Sequence, residues 1–491
     1  MRIGLEMFGT QTAGRHRGVG RYCRNLASAL AARARRSSHE LILYADAALP
    51  LDAVPTLADT PIRQIKPEPT MRDALDRLAR GGEEGLDALI LANPLEMVPG
   101  HDPPARPIGS PRPLITAVVY DLIPLIFPND YLRRWTGLAQ SRRYFWALER
   151  LRQYDALLAI SEATRDDVVR LMDMPPEKVA NIGTGGDDLG NAFSPSNPDD
   201  DANDLAAVKK LGLDGPFVFA VAATDPRKNL DGLLDAFARL PKSLLASHKL
   251  AVAAGITHED PDAAPLLSRA ETLGPGVRLV LTGAVDDATL RALYRRSDVF
   301  VFPSRYEGFG LPILEALRCG AAVVAGDNSS QPEAAGNAAS LVNTDDPEAL
   351  SAAIKRLLTD PEQSRILRAR GPAHAARFTW DAVAARTLSA LEGLAERPET
   401  ALPAPRRLAL FASSASTTKC DALVADLSER YAVDVFHHEA EAPTMRSRKD
   451  SNGFDHRLFP RLDRVRPYHA IMALEGGPTP PSLLERGRML R

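Results

Sequence analysis

Cysteine is scarce in this sequence. Three occur in 491 residues (Cys23, Cys319 and Cys420), with no CxxC pair and no His/Cys cluster. That argues against a disulfide framework or a structural zinc and suits a reducing compartment. An excess of either charge is also missing: 60 Lys and Arg stand against 63 Asp and Glu, a formal net charge of -3. Nucleic acid is therefore not an expected partner. No apolar run approaches the length of a membrane span. The opening MRIGLEMF reads as a strand rather than a basic n-region with an apolar h-region, so no secretory leader is expected. What remains is a 45% hydrophobic, 25% charged chain of a length that suits two or three soluble domains.

The most informative stretch is DVFVFPSRYEGFGLPILEALRCG, residues 298–320. DVFVF reads as a buried strand, and Pro303, Gly308 and Gly310 break the chain into a loop. Pro312 suits a first helical turn, and Gly320 ends the helix. A strand, a glycine loop and a helix N-terminus aim backbone N–H groups and a positive dipole end at whatever lies above the strand. Glu307 in the loop and Glu315 in the helix can reach one pocket, and Gly308 and Gly310 allow close backbone approach. A ligand anionic in one part and rich in hydroxyls elsewhere fits; an ordinary strand-to-helix turn with solvated glutamates is the alternative. The stretch resembles the E-x7-E signature of the retaining glycosyltransferases of family four, which adopt the GT-B fold.

Towards the N-terminus, the loop from Gly9 to Gly20 precedes a helix. Gly18-Val19-Gly20 is not the dinucleotide fingerprint, because Cys23 stands where its third glycine should fall, so hydride transfer is not supported. The loop is either a tight βα turn or a place for a phosphate or an acceptor hydroxyl. Strand-like runs at 40–46, 86–93, 114–121 and 154–161 alternate with helical stretches, predicting a doubly wound α/β domain over residues 1–190. Asp121 and Ser161-Glu162 fall at strand ends. Asp121 can orient or deprotonate an acceptor hydroxyl, or merely cap the next segment. The family often has histidine before this aspartate, whereas Tyr120 stands here. In 131–154, Trp135, Leu138, Phe145, Leu148 and Leu151 follow core-face periodicity. Arg133, Arg134, Arg142 and Arg143 would then form a basic face, either simply solvated or turned towards anionic lipid.

Residues 184–206, polar and aspartate-rich, read as an interdomain linker, with the DDD run solvated. FVFAVAA is the next strand, and Arg227 and Lys228 lie in the loop beyond it. Two adjacent cations at a strand's carboxyl end are either ordinary surface loop cations or can offset charge on a leaving diphosphate, a task otherwise given to a metal. DPRKNL resembles the family's donor-phosphate motif, although Ala222 and Ala223 replace its usual glycine. Ser329, Ser330 and Glu333 match the pattern after the motif helix, and Phe378–Trp380 resembles the start of the helix that returns to the first domain. The donor domain is placed at 191–396.

A proline-rich linker (397–406) follows, and 407–491 resemble the opening of a second glycosyltransferase unit without its motifs. The resemblance implies two Rossmann-like domains facing a cleft, plus a partial α/β module. It implies a retaining hexosyltransferase of the kind that builds bacterial polysaccharides. A nucleotide-sugar, with GDP-mannose favoured over UDP- or dTDP-hexoses, would be the donor, and a glycan or lipid-linked hydroxyl the acceptor. No cofactor or metal is expected. Glu307 and Asp121 would flank the reacting sugar. Arg227, Lys228, Gly308, Phe309, Gly310, Leu311, Glu315, Gly18 and Gly20 would bind the donor. A cytoplasmic location is implied, with peripheral contact at the inner face of the membrane left open. A nucleotide-sugar epimerase or a non-catalytic carbohydrate-binding scaffold on the same fold are the alternatives.

Overall fold

A computed structural model describes residues 1–396 apart from 17, 67–69, 83–84, 97–100, 105, 107–112, 133–137, 187–197 and 223–224. Beyond 396 it describes 407–411, 432–437, 452–455 and 470–473. Three parallel sheets result. The first takes β1 (Arg2–Glu6), β2 (Glu40–Asp46), β3 (Ile62–Ile65), β4 (Ala88–Leu91), β5 (Leu114–Val119), β6 (Ala156–Ala159) and β7 (Val179–Asn181). Their order is β3-β2-β1-β4-β5-β6-β7. The second takes β8 (Phe217–Val221), β9 (Lys249–Ala253), β10 (Leu279–Leu281), β11 (Val299–Phe302), β12 (Val323–Gly326) and β13 (Ala339–Val342), ordered β10-β9-β8-β11-β12-β13.

Covered by helices on both faces, such strands read as unbroken apolar runs. VFVF of β11 is buried throughout. The third sheet takes β14 (Arg407–Phe411), β15 (Ala432–His437), β16 (Asn452–Asp455) and β17 (Ala470–Ala473), ordered β16-β15-β14-β17. That repeats the first four strands of each larger sheet.

One expectation needs correction. Residues 198–210 are a helix, not linker. Lys209 and Lys210 stand in its last turn, which suits the helix dipole. Asp204, 2% exposed, meets Arg295 at 3.1 Å and Arg291 at 3.4 Å, and Asp201 meets Arg296 at 2.9 Å. The aspartates therefore fasten this helix to the helix Asp287–Arg296, and Asp201, from the DDD run itself, is paired rather than merely solvated. Of the expected basic face only the Arg143 side chain is described. Phe145, Leu148 and Leu151 are buried as the periodicity requires, but Arg143 is paired with Asp102 at 2.8 Å. Trp135, Arg133, Arg134 and the side chains of Leu138 and Arg142 lie outside the described residues.

The helix Trp380–Ala395 joins the two larger sheets. Thr379 caps it by accepting the Ala382 N–H, and Trp380 packs edge-on against Tyr22, ring centroids 4.8 Å apart. Asp381 meets Arg33 at 2.7 Å, and Arg386 donates to the Ile182 carbonyl at 2.7 Å. Among the described residues no helix is long and apolar enough to cross a membrane.

Candidate active site

The strand order of the second sheet reverses between β8 and β11, and open α/β sheets bind ligands beyond the carboxyl ends at such a reversal. After β8, Asp225 caps the turn Pro226–Lys228 by accepting the Arg227 N–H at 2.9 Å. Asn229 is left-handed (φ 55°), and its amide donates to the carbonyls of Thr344 (2.7 Å) and Pro303 (3.3 Å). That ties the turn to the loop after β11 and brings three charges together. Lys228 Nζ lies 2.6 Å from Glu307 Oε1, and Arg227 Nη1 lies 2.7 Å from Glu307 Oε2. Glu307 is 8% exposed. Burial pushes its carboxyl up, but Lys228 and Arg227 outweigh that and hold it below the ordinary carboxylate range. Ser329 accepts the Glu307 N–H at 3.0 Å, and Ser330 donates to the carbonyls of Glu307 (2.9 Å) and Phe309 (2.7 Å). The loop is thus pinned from β12's side.

Gly310, at φ 108°, opens the helix Leu311–Arg318 with Pro312 in its first turn. One turn in, Glu315 is 6% exposed and accepts the Tyr294 hydroxyl at 2.9 Å. Its other oxygen meets Arg21 Nη1 at 3.0 Å. Arg21 belongs to the first turn of the helix Gly18–Ala34, from the opposite sheet. A β-carbon at Gly18 would lie 3.9 Å from Leu311 Cδ1, so the N-termini of two helices face each other across the cleft. Converging positive dipole ends favour an anion between them. Gly20 has a packing role. A β-carbon there would lie 2.6 Å from Arg15 Cα, so glycine lets the preceding loop fold back over the helix.

Carboxylates organise the first sheet's loops. Glu6 accepts the N–H groups of Phe8, Ala92 (3.1 Å) and Asn93 (3.4 Å). Burial pushes Glu6 up to about 7, with those donors acting against it. Glu96 accepts the Gly14 N–H at 2.8 Å and Asn93 Nδ2 at 2.6 Å, holding the loop before helix Gly18–Ala34. Asp121, beyond β5, accepts the Ile123 N–H at 3.0 Å; burial raises its carboxyl, while that donor and Arg227 lower it. Tyr120 donates to the Ala92 carbonyl at 2.8 Å.

The two halves touch closely. Ser161 caps the helix Glu162–Met172 and donates to the Gly308 carbonyl at 2.7 Å. Glu333 accepts the Glu162 N–H at 2.8 Å, and Tyr306 donates to Asp167. A β-carbon at Gly308 would overlap the Tyr120 carbonyl oxygen. Gly308 thus allows the opposite domain to approach. Gly308→Ala should force the halves apart, costing about 1–3 kcal/mol. Thermal denaturation and small-angle scattering check this: a lower Tm with a larger radius of gyration is expected, and an unchanged pair of values would contradict it.

Of the residues the sequence singles out, Arg227, Lys228 and Glu307 form one cluster. Asp121 faces Gly308, its Cβ 3.3 Å from where a Gly308 β-carbon would stand. Gly18, Gly310, Leu311 and Glu315 line the meeting of the two helix ends, and Phe309 is buried at 4%. Sequence reasoning missed Arg21, Tyr131, Asp225 and Tyr294. Asp225 was legible as a turn cap before Pro226; the others carry no local signal.

The family model described as Glycosyltransferase Family 4 matches residues 16–188, and the one described as Glycosyl transferases group 1 matches 202–374. The serotype-specific mannosyltransferase WbdA of Escherichia coli is 33% identical over 266 residues, 54% of this chain and 31% of that protein. The O-antigen chain mannosyltransferase B of Escherichia coli is 32% identical over 235 residues, 48% of this chain and 59% of that protein. The chain therefore spans about a third to three fifths of these curated relatives. Sucrose-phosphate synthase from Thermosynechococcus elongatus has the same fold, with a TM-score of 0.57 at 20% identity, covering 80% of this chain and 99% of that one. Two family matches laid end to end over the two larger sheets, with the carboxylate and cation motifs at the reversal of the second, identify this chain as a member of the family-four, group 1 glycosyltransferases of the GT-B fold.

Proposed function

We propose that the chain transfers a hexose, mannose from GDP-mannose in the favoured reading, to a hydroxyl of a glycan or lipid-linked acceptor in polysaccharide synthesis, with anomeric configuration retained. The observation that carries this is the Arg227–Glu307–Lys228 cluster at the sheet reversal. Without a ligand, Glu307 balances the two cations. A donor diphosphate competes for Arg227 and Lys228 and frees the carboxylate to hold hexose hydroxyls and face the oxocarbenium charge. Glu315 takes the ribose hydroxyls, and the facing helix ends take the phosphates. The acceptor oxygen bonds to the anomeric carbon on the face from which the diphosphate leaves, and the departing phosphate takes the acceptor proton. Asp121 orients that hydroxyl. The names of the mannosyltransferase relatives support the choice of sugar.

A thermal-shift panel of GDP-mannose, UDP-glucose and dTDP-glucose tests the reading. A donor at one hundred times its Kd should add about 2.7 kcal/mol of stability. No shift with any of the three would contradict it. Arg227 and Lys228 supply the positive charge that the leaving group needs. Turnover is therefore expected to survive EDTA; loss restored by magnesium or manganese would refute metal independence.

A further inference from the structure

Tyr131 reaches across the cleft. It belongs to the segment that follows β5 and Asp121, where Asp130 and Tyr131 both donate backbone N–H groups to the Phe127 carbonyl (3.1 and 3.2 Å). Leu132 is buried, and its carbonyl accepts Ser141 at 3.1 Å. Phe127 of the same segment packs edge-on against Tyr306, centroids 6.1 Å apart. On this fixed base the Tyr131 hydroxyl lies 2.6 and 2.8 Å from the two Asp225 oxygens and accepts Arg227 Nε at 3.3 Å. Asp225 is the cap of the very turn that presents Arg227 and Lys228. Burial and Asp225 keep the phenol protonated well above its ordinary range, so it stays a donor to Asp225.

We infer that Tyr131 is a positioning residue: with Asp225, which meets Nη2 at 3.5 Å, it fixes the Nε edge of Arg227 from the acceptor side, leaving Nη1 aimed at Glu307 and at the donor diphosphate. Because Tyr131 and Arg227 come from opposite sheets, the cation is held in line only when the cleft is closed. The donor-phosphate site is therefore completed by the acceptor domain. This rests on the transferase reading above. Neither the E-x7-E stretch nor the Arg-Lys pair includes this tyrosine.

A double-mutant cycle in the full chain tests it, with GDP-mannose as donor, a mannoside as acceptor and GDP as the binding probe. Tyr131→Phe should lower kcat by about 10- to 100-fold, the scale of a misaimed catalytic group. GDP affinity should change less than about threefold. In the Arg227→Ala background the same substitution should have no further effect, because its target is gone. Asp225→Asn, which keeps the shape of the cap but also removes the 3.5 Å ion pair to Arg227, should lower kcat at least as far and likewise have no further effect in the Arg227→Ala background. A Tyr131→Phe enzyme with wild-type kcat would overturn the inference. So would a kcat loss that persists in full in the Arg227→Ala background, or a fall in GDP affinity that matches the fall in kcat. A wild type that neither binds GDP nor turns over GDP-mannose would overturn the transferase reading with this donor instead, and is seen before any variant is compared.

Discussion

Arg227→Ala and Lys228→Ala are each expected to slow sugar transfer by about two orders of magnitude or more, the scale on which a preorganised charge-stabilising group acts. Both should also weaken binding of the nucleotide-sugar and of the free nucleotide diphosphate. The physical reason is that the leaving-group charge would develop beside cations only 14% and 18% exposed, where fixed charge acts strongly. The two should not be equal. Arg227 also donates to the Tyr306 carbonyl at 2.8 Å and to Tyr131, so its loss loosens the loop and the contact across the cleft. Lys228 touches Glu307 and lies 5.1 Å over the Phe302 ring, so its loss removes charge and little else. Arg227→Ala is expected to lower Tm more than Lys228→Ala. Steady-state kinetics, calorimetric titration of GDP and thermal melts separate these effects. Unchanged turnover in both variants would move the phosphate site elsewhere.

Glu307→Gln should separate binding from chemistry. The carboxylate holds two cations at 2.6 and 2.7 Å, and removing its charge leaves Lys228 without this carboxylate and Arg227 with only Asp225, 3.5 Å away. Free nucleotide diphosphate should bind as tightly as before or more tightly, since it no longer competes with Glu307. Transfer should fall by about 100-fold or more, because the sugar loses the carboxylate beside it. Stability should drop by about 3 kcal/mol or less in buffer and recover with added GDP, the cost of uncompensated charge in a low-dielectric site. The pH dependence follows from the direction of the shift. A carboxyl held below its unfolded value contributes stability that is present above the unfolded range and is lost as pH falls through the lower folded value. Wild type should show that acid limb, and the Gln variant should lack it. A Gln enzyme with full turnover would remove Glu307 from the mechanism.

The parts of the site that lie within one βα unit were legible. The run from strand to glycine loop to helix at 298–320 fixes local geometry through Pro303, Gly310 and Pro312, whose backbone limits are intrinsic. Apolar runs marked most strands for the same reason: both faces of a parallel sheet are covered. β3, with the sequence IRQI and an exposed middle, lies at the sheet's edge and carries no such signal. The helix at 198–210 was hidden by its acids, which resemble a solvated linker until Arg291, Arg295 and Arg296 are placed beside them. Contacts between the halves were illegible in principle. Tyr131 and Arg227 are 96 positions apart, and Arg21 and Glu315 are 294 apart. Only closure of the cleft makes them neighbours, and no periodicity or spacing records it. Gly308 shows the same limit: it reads as room for a ligand, whereas its α-carbon faces the Tyr120 carbonyl.

In the proposed reaction a sugar leaves its nucleotide diphosphate and is received on the same face. Proton NMR of the product formed from GDP-α-mannose and a mannoside acceptor tests that most directly, read together with stoichiometric release of GDP. One GDP released per linkage and an α-anomeric signal in the product from the first turnover are expected. A β-linked product, or no release of nucleotide from GDP-mannose, UDP-glucose or dTDP-glucose, would contradict it.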